Sequence, residues 1–303
     1  MGPGDELKAL AILLAALAAV AMSFGAQFQN DAVVEKHATK EPGRGSLNLK
    51  QVLSLLYRPR WLGGLGMMIV GVILQLVALS LAPLIVVQPI GAIALIITPL
   101  LNAKINKTKL DTKTWLAIGL TTLGIGAFVA QATGVAKESK LTDANLLEVL
   151  GALIAILVAL GLWFVLSGKR AKALTFVLGA GVLYGFVATL AKVVIQRVYQ
   201  GEFEWLTVLC LIALIGAVLL GGWFVQNAYA SGPPDLVIAG LTVIDPIVAV
   251  SIGIVVLGEA KQAGIQTIIG FAIAAAIAVI GVFRLAKVHP ELVHKPSKKS
   301  AAK

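Results

Sequence analysis

Asp245 and Pro246 stand side by side near the middle of an apolar stretch, Pro234 to Leu257, that is long enough to cross a lipid bilayer. A carboxylate at that depth must be protonated, paired or solvated in a cavity. The proline removes a backbone donor and loosens the helix around it. Hydrocarbon tolerates neither without polar space nearby, so the pair marks a candidate binding or coupling site. Lys192 is the one cation away from the ends of an apolar segment, flanked by Leu190, Ala191, Val193 and Val194. It can answer Asp245 as a counter-charge, serve a separate polar path, or snorkel toward the interface near Arg197, about 7.5 Å further along a helix.

The stretch PLIVVQPIGAIALIITPLL carries Pro83, Pro89 and Pro99, with Gln88 directly before the second. Pro89 and Pro99 each remove a hydrogen bond inside the element, which predicts a kinked or partly unwound span whose freed carbonyls need partners. Gln88 then faces a cavity or ties the kink to a neighbouring backbone. Gln75 and Gln226, with Asn227 adjoining, line the same cavity or bond helix to helix without touching a ligand. Pro89, Pro99 and Pro246 are the candidate gating positions. Gln27, Asn30 and Asp31 read as a solvated helix end, Glu259 as an exposed loop residue and Cys210 as a small core residue. Gly119, Gly124, Gly126, Gly270 and Gly281 read as helix contacts.

These groups are positioned by spanning helices. Of 303 residues, 58% are apolar and 13% charged, with a mean hydropathy of +0.93; a soluble domain carries roughly 25% charge. Apolar runs are continuous rather than alternating, which excludes a membrane β-barrel. Segments of about twenty residues fall near 8–30, 61–81, 83–103, 114–134, 146–167, 173–196, 205–229, 234–257 and 264–285, predicting nine spans. Residues 8–24 could pass for the apolar part of a signal peptide, but Asp5 and Glu6 precede them, so they read as a retained span. Residues 47–57 are too short to cross and repeat apolar positions at helical spacing, as an interfacial helix does. Nineteen Lys and Arg fall in the loops 31–60, 104–113, 168–172 and the stretch from Arg284 onward, against five on the other side. The positive-inside rule then predicts an outside N-terminus and a cytoplasmic C-terminus in the plasma membrane. The net charge of +10 lies in short loops and a tail, so nucleic acid is not an expected partner. The basic tail, 286–303, is expected to be disordered.

The chain also repeats itself weakly at an offset of 151 residues. Gln75 matches Gln226, Ser80 matches Ser231, Pro83 matches Pro234 and Gly119 matches Gly270. Four spans (8–134, including the loop and interfacial helix 31–60) are followed by a linking span (146–167) and four more (173–285). Five spans separate equivalent helices, so the second set enters from the opposite face. Inverted repeats of this kind are characteristic of secondary transporters. No G-x-x-x-x-G-K-[ST] loop is present, no His lies in a span, no Cys/His cluster offers zinc geometry and no nucleophile adjoins a base. An enzyme is therefore not expected.

LQLVALSLAPLIVVQPIGA and QNAYASGPPDLVIAGLTVIDPIVAVSIGIVVLGE resemble the drug/metabolite transporter superfamily and its EamA-like repeats, over residues 8–285. That family's usual ten spans include one where the charged loop 31–60 stands here. The resulting nine-span pattern looks more like the superfamily's magnesium-transporter branch, the NIPA-type proteins. APLIVVQPIGA is similar to that branch's third-span motif, and Lys192 falls where its second half carries a lysine. Magnesium is usually held by carboxylates and retained waters, whereas Asp245 is the one deep carboxylate and Lys192 would oppose a cation.

The expectation is an all-α membrane carrier of two inverted four-helix repeats joined by a fifth helix, moving a small polar or amphipathic metabolite by alternating access. Asp245 would orient substrate or couple transport, Lys192 would be its counter-charge, and the broken helices would supply carbonyls and gate motion. A Mg²⁺ transporter with Asp245 as ligand is the first alternative, and a membrane scaffold or regulatory subunit the second. No cofactor is expected. The bilayer and a small molecule or ion are the expected partners, with a homodimer left open.

Overall fold

The computed structural model describes residues 3–37, 58–106, 110–167, 173–231 and 234–288. Among them every regular element is helical. Helix α1, Pro3–His37, starts with Asp5 and Glu6 in its first turn, where carboxylates suit the positive end of the helix dipole. Residues 31–37 continue this helix, so Asn30 and Asp31 lie inside it rather than closing the span. The interfacial helix expected at 47–57 and the tail beyond Val288 lie outside the described residues.

Helix α2, Pro59–Leu81, opens on a proline, whose missing N–H costs nothing in a first turn. It stops where the next proline requires it to. Ala82, immediately before Pro83, is extended at φ −147°, ψ 158°, because the Pro83 ring disfavours helical geometry in its predecessor. The expected third span then divides. Helix α3, Leu84–Val87, passes into a 3₁₀ segment at Gln88–Ile93, where Pro89 cannot donate to an i−4 carbonyl, and α4 resumes over Ala94–Asn106. Pro99 sits within α4 without interrupting it.

Helix α5, Thr112–Val135, is capped by Asp111, which accepts from Thr114 N at 2.9 Å. Helix α6 covers Asp143–Ser167, α7 Ala173–Tyr199, α8 Trp205–Ser231, α9 Pro234–Val255 and α10 Ile265–Val288. Helix α9 runs continuously through Pro246, so the break expected there is not formed. Proline in a helix removes one hydrogen bond, and packing on both sides can hold the remainder in register.

Eight helices are long and apolar enough to cross a membrane, and Leu84–Ile97 adds a shorter apolar helix. Large apolar side chains such as Leu123, Ile212 and Leu219 point outward, as they do when the surroundings are lipid. The main pairings are α1 with α2, α5 with α10, and α7 with both α8 and α9, while the broken third element lies against α1 and α9. Glycine matters most where α5 crosses α10. A Cβ on Gly281 would come within 2.5 Å of Thr121 N, and one on Gly124 would strike the Ala278 backbone. Gly119 and Gly126, by contrast, face open space and are not contact positions.

Candidate functional site

A cavity of about 450 Å³ lies between α1, α2, α7, α9 and the 3₁₀ segment. Its polar wall is formed by Gln75, Gln88, Tyr184, Thr242 and Asp245. Gln75 Nε2 donates to Gln88 Oε1 at 3.3 Å, and Gln88 Nε2 reaches Asp245 Oδ1 at a long 3.5 Å. Two amides thus lead across the cavity to one carboxylate. Pro246 also lines this wall; having no N–H, it leaves the Thr242 carbonyl without its in-helix donor. Pro89 and Pro246 line a neighbouring apolar chamber of about 220 Å³ containing Phe128 and Phe271, whose rings stack at 4.7 Å.

The structure thus brings together three of the sequence-predicted polar residues, Gln75, Gln88 and Asp245. Gln226 is exposed on α8, and Asn227 Nδ2 bonds to Trp223 O in its own helix; neither lines the cavity. Equivalence in the repeat does not carry Gln226 to the place of Gln75.

Lys192 is not the counter-charge of Asp245. Its ammonium is 1% exposed and donates to Leu79 O at 2.6 Å, to Ala82 O at 2.9 Å and to the Glu138 carboxylate. It therefore caps the C-terminal end of α2, where carbonyls lack intrahelical partners and a cation suits the dipole. Glu259, expected to be an exposed loop residue, is 3% exposed. Its Oε1 accepts from Leu84 N at 2.8 Å and its Oε2 from Ile85 N at 2.9 Å, capping α3.

Local backbone aims that carboxylate. After α9, Leu257 N bonds back to Ile252 O, and Gly258 takes φ +67°, where a side chain would be strained. Glu259 N then reaches Gly253 O at 2.9 Å, and Gly253 leaves the room its carboxylate occupies: a Cβ there would sit 2.8 Å from Oε2. Burial pushes the Glu259 carboxyl above the usual glutamate range, opposed by the two backbone N–H groups and by Lys192.

Further ion pairs tie the loops at this end. Arg197, 2% exposed, meets Asp143 at 2.6 Å, the Glu202 carboxylate and Leu141 O, and Lys140 reaches Glu202 at 3.1 Å. Lys140 holds the Glu202 carboxyl below the usual range, assisted by Arg197. Sequence reading missed Glu259, Glu138, Tyr184 and Thr242 as site-forming groups. Tyr184 had a legible signal, since 184, 188 and 192 follow one another at helical spacing on a single face of α7.

No protein-family model matches the chain, and no solved structure does. An uncharacterized protein of Corynebacterium glutamicum is 29% identical over 285 residues, covering 92% of this chain and 95% of that protein. The "Probable magnesium transporter NIPA9" of Arabidopsis thaliana is 28% identical over 226 residues, covering 71% of this chain and 65% of the relative. The apolar helices make the chain a multi-pass membrane protein.

Proposed function

We propose that the chain is a secondary transporter of the drug/metabolite type, moving a small polar or amphipathic metabolite by alternating access. The observation that carries this reading is the cavity of about 450 Å³ inside an otherwise apolar bundle, with Gln75, Gln88 and Asp245 converging on it. It lies where the broken third element meets α9, the third helix of the second half. The fourth helices of the two halves, α5 and α10, also pack on each other. Like-to-like contact of this kind supports two inverted four-helix repeats with α6 as the linking helix and nine crossings in all. In this reading Asp245 orients substrate or carries the coupling charge, Gln88 positions it, and the break before Pro89 supplies movement. The carrier is not an enzyme, needs no cofactor or nucleic acid, and sits in the plasma membrane with its N-terminus outside.

Mg²⁺ is the second reading, favoured by the likeness to a relative named a probable magnesium transporter. A hydrated ion held through one carboxylate and neutral amide oxygens is compatible with Mg²⁺ chemistry. Among the described residues, no group of three His, Cys, Asp or Glu gathers to hold a dehydrated metal.

Purified protein in liposomes decides between them. A thermal-stabilisation screen of small polar and amphipathic compounds selects a ligand, since a bound ligand raises apparent stability by mass action. Uptake of that compound, and Mg²⁺ entry read by an entrapped indicator, are then compared in parent and Asp245→Asn protein. Loss of uptake in the variant supports the carrier. Unchanged uptake removes Asp245 from the mechanism, and a parent inert to every compound and to Mg²⁺ favours a scaffold.

A further inference from the structure

Two cavities lie end to end along the seam between α2 and α7. Beyond the central one is a second chamber of about 240 Å³, walled by Ser80, Glu138, Lys192, Gln196 and Tyr199. Leu79 belongs to both walls and is 2% exposed. Tyr184, Ala188 and Ala191 of α7 line the central cavity, and Lys192, Ile195 and Tyr199 line the end chamber. These positions form one stripe at helical spacing, so a single helix face serves both spaces. On α2, Gln75 and Leu79 are four residues apart and share a face in the same way.

The separation between the chambers is held by a charge. The Lys192 ammonium donates to the carbonyl of Leu79 itself, to that of Ala82 and to Glu138. An ammonium has three donors and here three acceptors, so it is saturated and has none to spare for an anion. Its partner differs from it in exposure: the Glu138 side chain is 36% exposed against 1% for Lys192. The pair can therefore turn toward solvent together without leaving a buried charge uncompensated. The two carbonyls it releases would take water from the adjoining chamber.

We propose that Leu79 is a gate between the end chamber and the central cavity, and that Lys192 with Glu138 is its latch. The physiological meaning rests on the carrier reading above, because a gate matters only if the central cavity takes a substrate. The path itself is tested without one.

Cys210 is buried, and replacing it by alanine gives a background for introduced cysteines. Gln75→Cys then reports on the central cavity, and Tyr199→Cys, at an exposed residue of the same end, reports which membrane face that end occupies. An impermeant methanethiosulfonate reagent is applied to that face, using intact cells or inside-out vesicles as Tyr199→Cys dictates. With the latch intact, Gln75→Cys should react at least tenfold more slowly than Tyr199→Cys. Glu138→Gln, Lys192→Met and Leu79→Ala should each raise the Gln75→Cys rate about tenfold. Glu138→Gln keeps the test decisive if Lys192→Met does not fold. Equal rates at the two cysteines in the latched protein, or an unchanged Gln75→Cys rate in folded latch variants, would overturn the gate. Either failure leaves Asp245-dependent uptake intact, whereas failure of the carrier reading leaves the labelling pattern intact.

Discussion

Glu259 and Lys192 cap opposite sides of one break in the chain. Lys192 donates to Leu79 O and Ala82 O at the end of α2, and Glu259 accepts from Leu84 N and Ile85 N at the start of α3. Only Pro83 separates the two sets of backbone groups. Buried helix ends have little water to satisfy them, and here two side chains from distant parts of the sequence do so with the charge sign each end prefers. The break is therefore a supported element of the fold. It can also be released by moving either side chain.

Replacing Glu259 by alanine leaves two buried N–H groups without an acceptor and removes a negative charge near Lys192. The expected loss is about 2–4 kcal/mol, read as a lowered melting temperature in detergent. Glu259→Gln retains one acceptor oxygen and should fall between parent and alanine variant. A melting temperature of Glu259→Ala equal to the parent's would contradict the capping role.

The spanning helices were legible because lipid imposes a length and a composition on each. The third element's division was legible at Pro89, where the missing N–H falls between two pieces of α-helix. At Pro99 and Pro246 the same chemistry left the helix continuous. Glu259 was not legible at all. Its partner Leu84 lies 175 residues away, and nothing in the local string LGEAKQ distinguishes a buried cap from a solvated loop. Lys192 was expected to answer Asp245, but its partners are two carbonyls at a helix end and the Glu138 carboxylate, and no pattern of side chains announces the carbonyls.

Glu202 gives the acid limb of stability a definite sign. Lys140 and Arg197 hold its carboxyl below the usual glutamate range, so the folded chain binds that proton less readily than the unfolded one. The stabilisation is fully present above the unfolded value and is lost as pH falls through the lowered folded value. Melting temperature measured from pH 7 to pH 3 should drop less steeply in Glu202→Gln than in the parent. Because Lys140 is exposed, raising salt to about 1 M should shrink the difference. Parallel curves at every pH would count against the assignment.

The two classes of glycine should separate experimentally. A Cβ at Gly281 would press on Thr121 N and Oγ1 at 2.5 Å, with backbone that cannot rotate away. Gly281→Ala should lose about 1–3 kcal/mol through overpacking of α5 on α10. A Cβ at Gly126 meets nothing within 4 Å, so Gly126→Ala should be neutral or gain up to about 1 kcal/mol from helix propensity. Thermal unfolding of both variants in one detergent checks the pair, and equal effects would mean that the α5–α10 crossing is looser than its geometry.

Asp245 should show stability and transport moving in opposite directions. Its carboxylate faces the cavity with one long contact, to Gln88 at 3.5 Å, and with Lys192 engaged elsewhere. A charge so poorly answered within a membrane bundle is costly. An amide of the same shape keeps the hydrogen bonding and removes that penalty. Asp245→Asn should therefore melt a few degrees higher than the parent, the range expected for about 1 kcal/mol in a chain of this size, while losing uptake of the screened compound. Gln88→Leu removes the carboxylate's nearest donor and should melt lower, with uptake weakened through affinity. A carboxylate retained only for packing would behave the other way, with Asp245→Asn less stable and uptake unaltered. Measuring melting and uptake on the same preparations separates the two cases, because no general loss of folding raises one while abolishing the other.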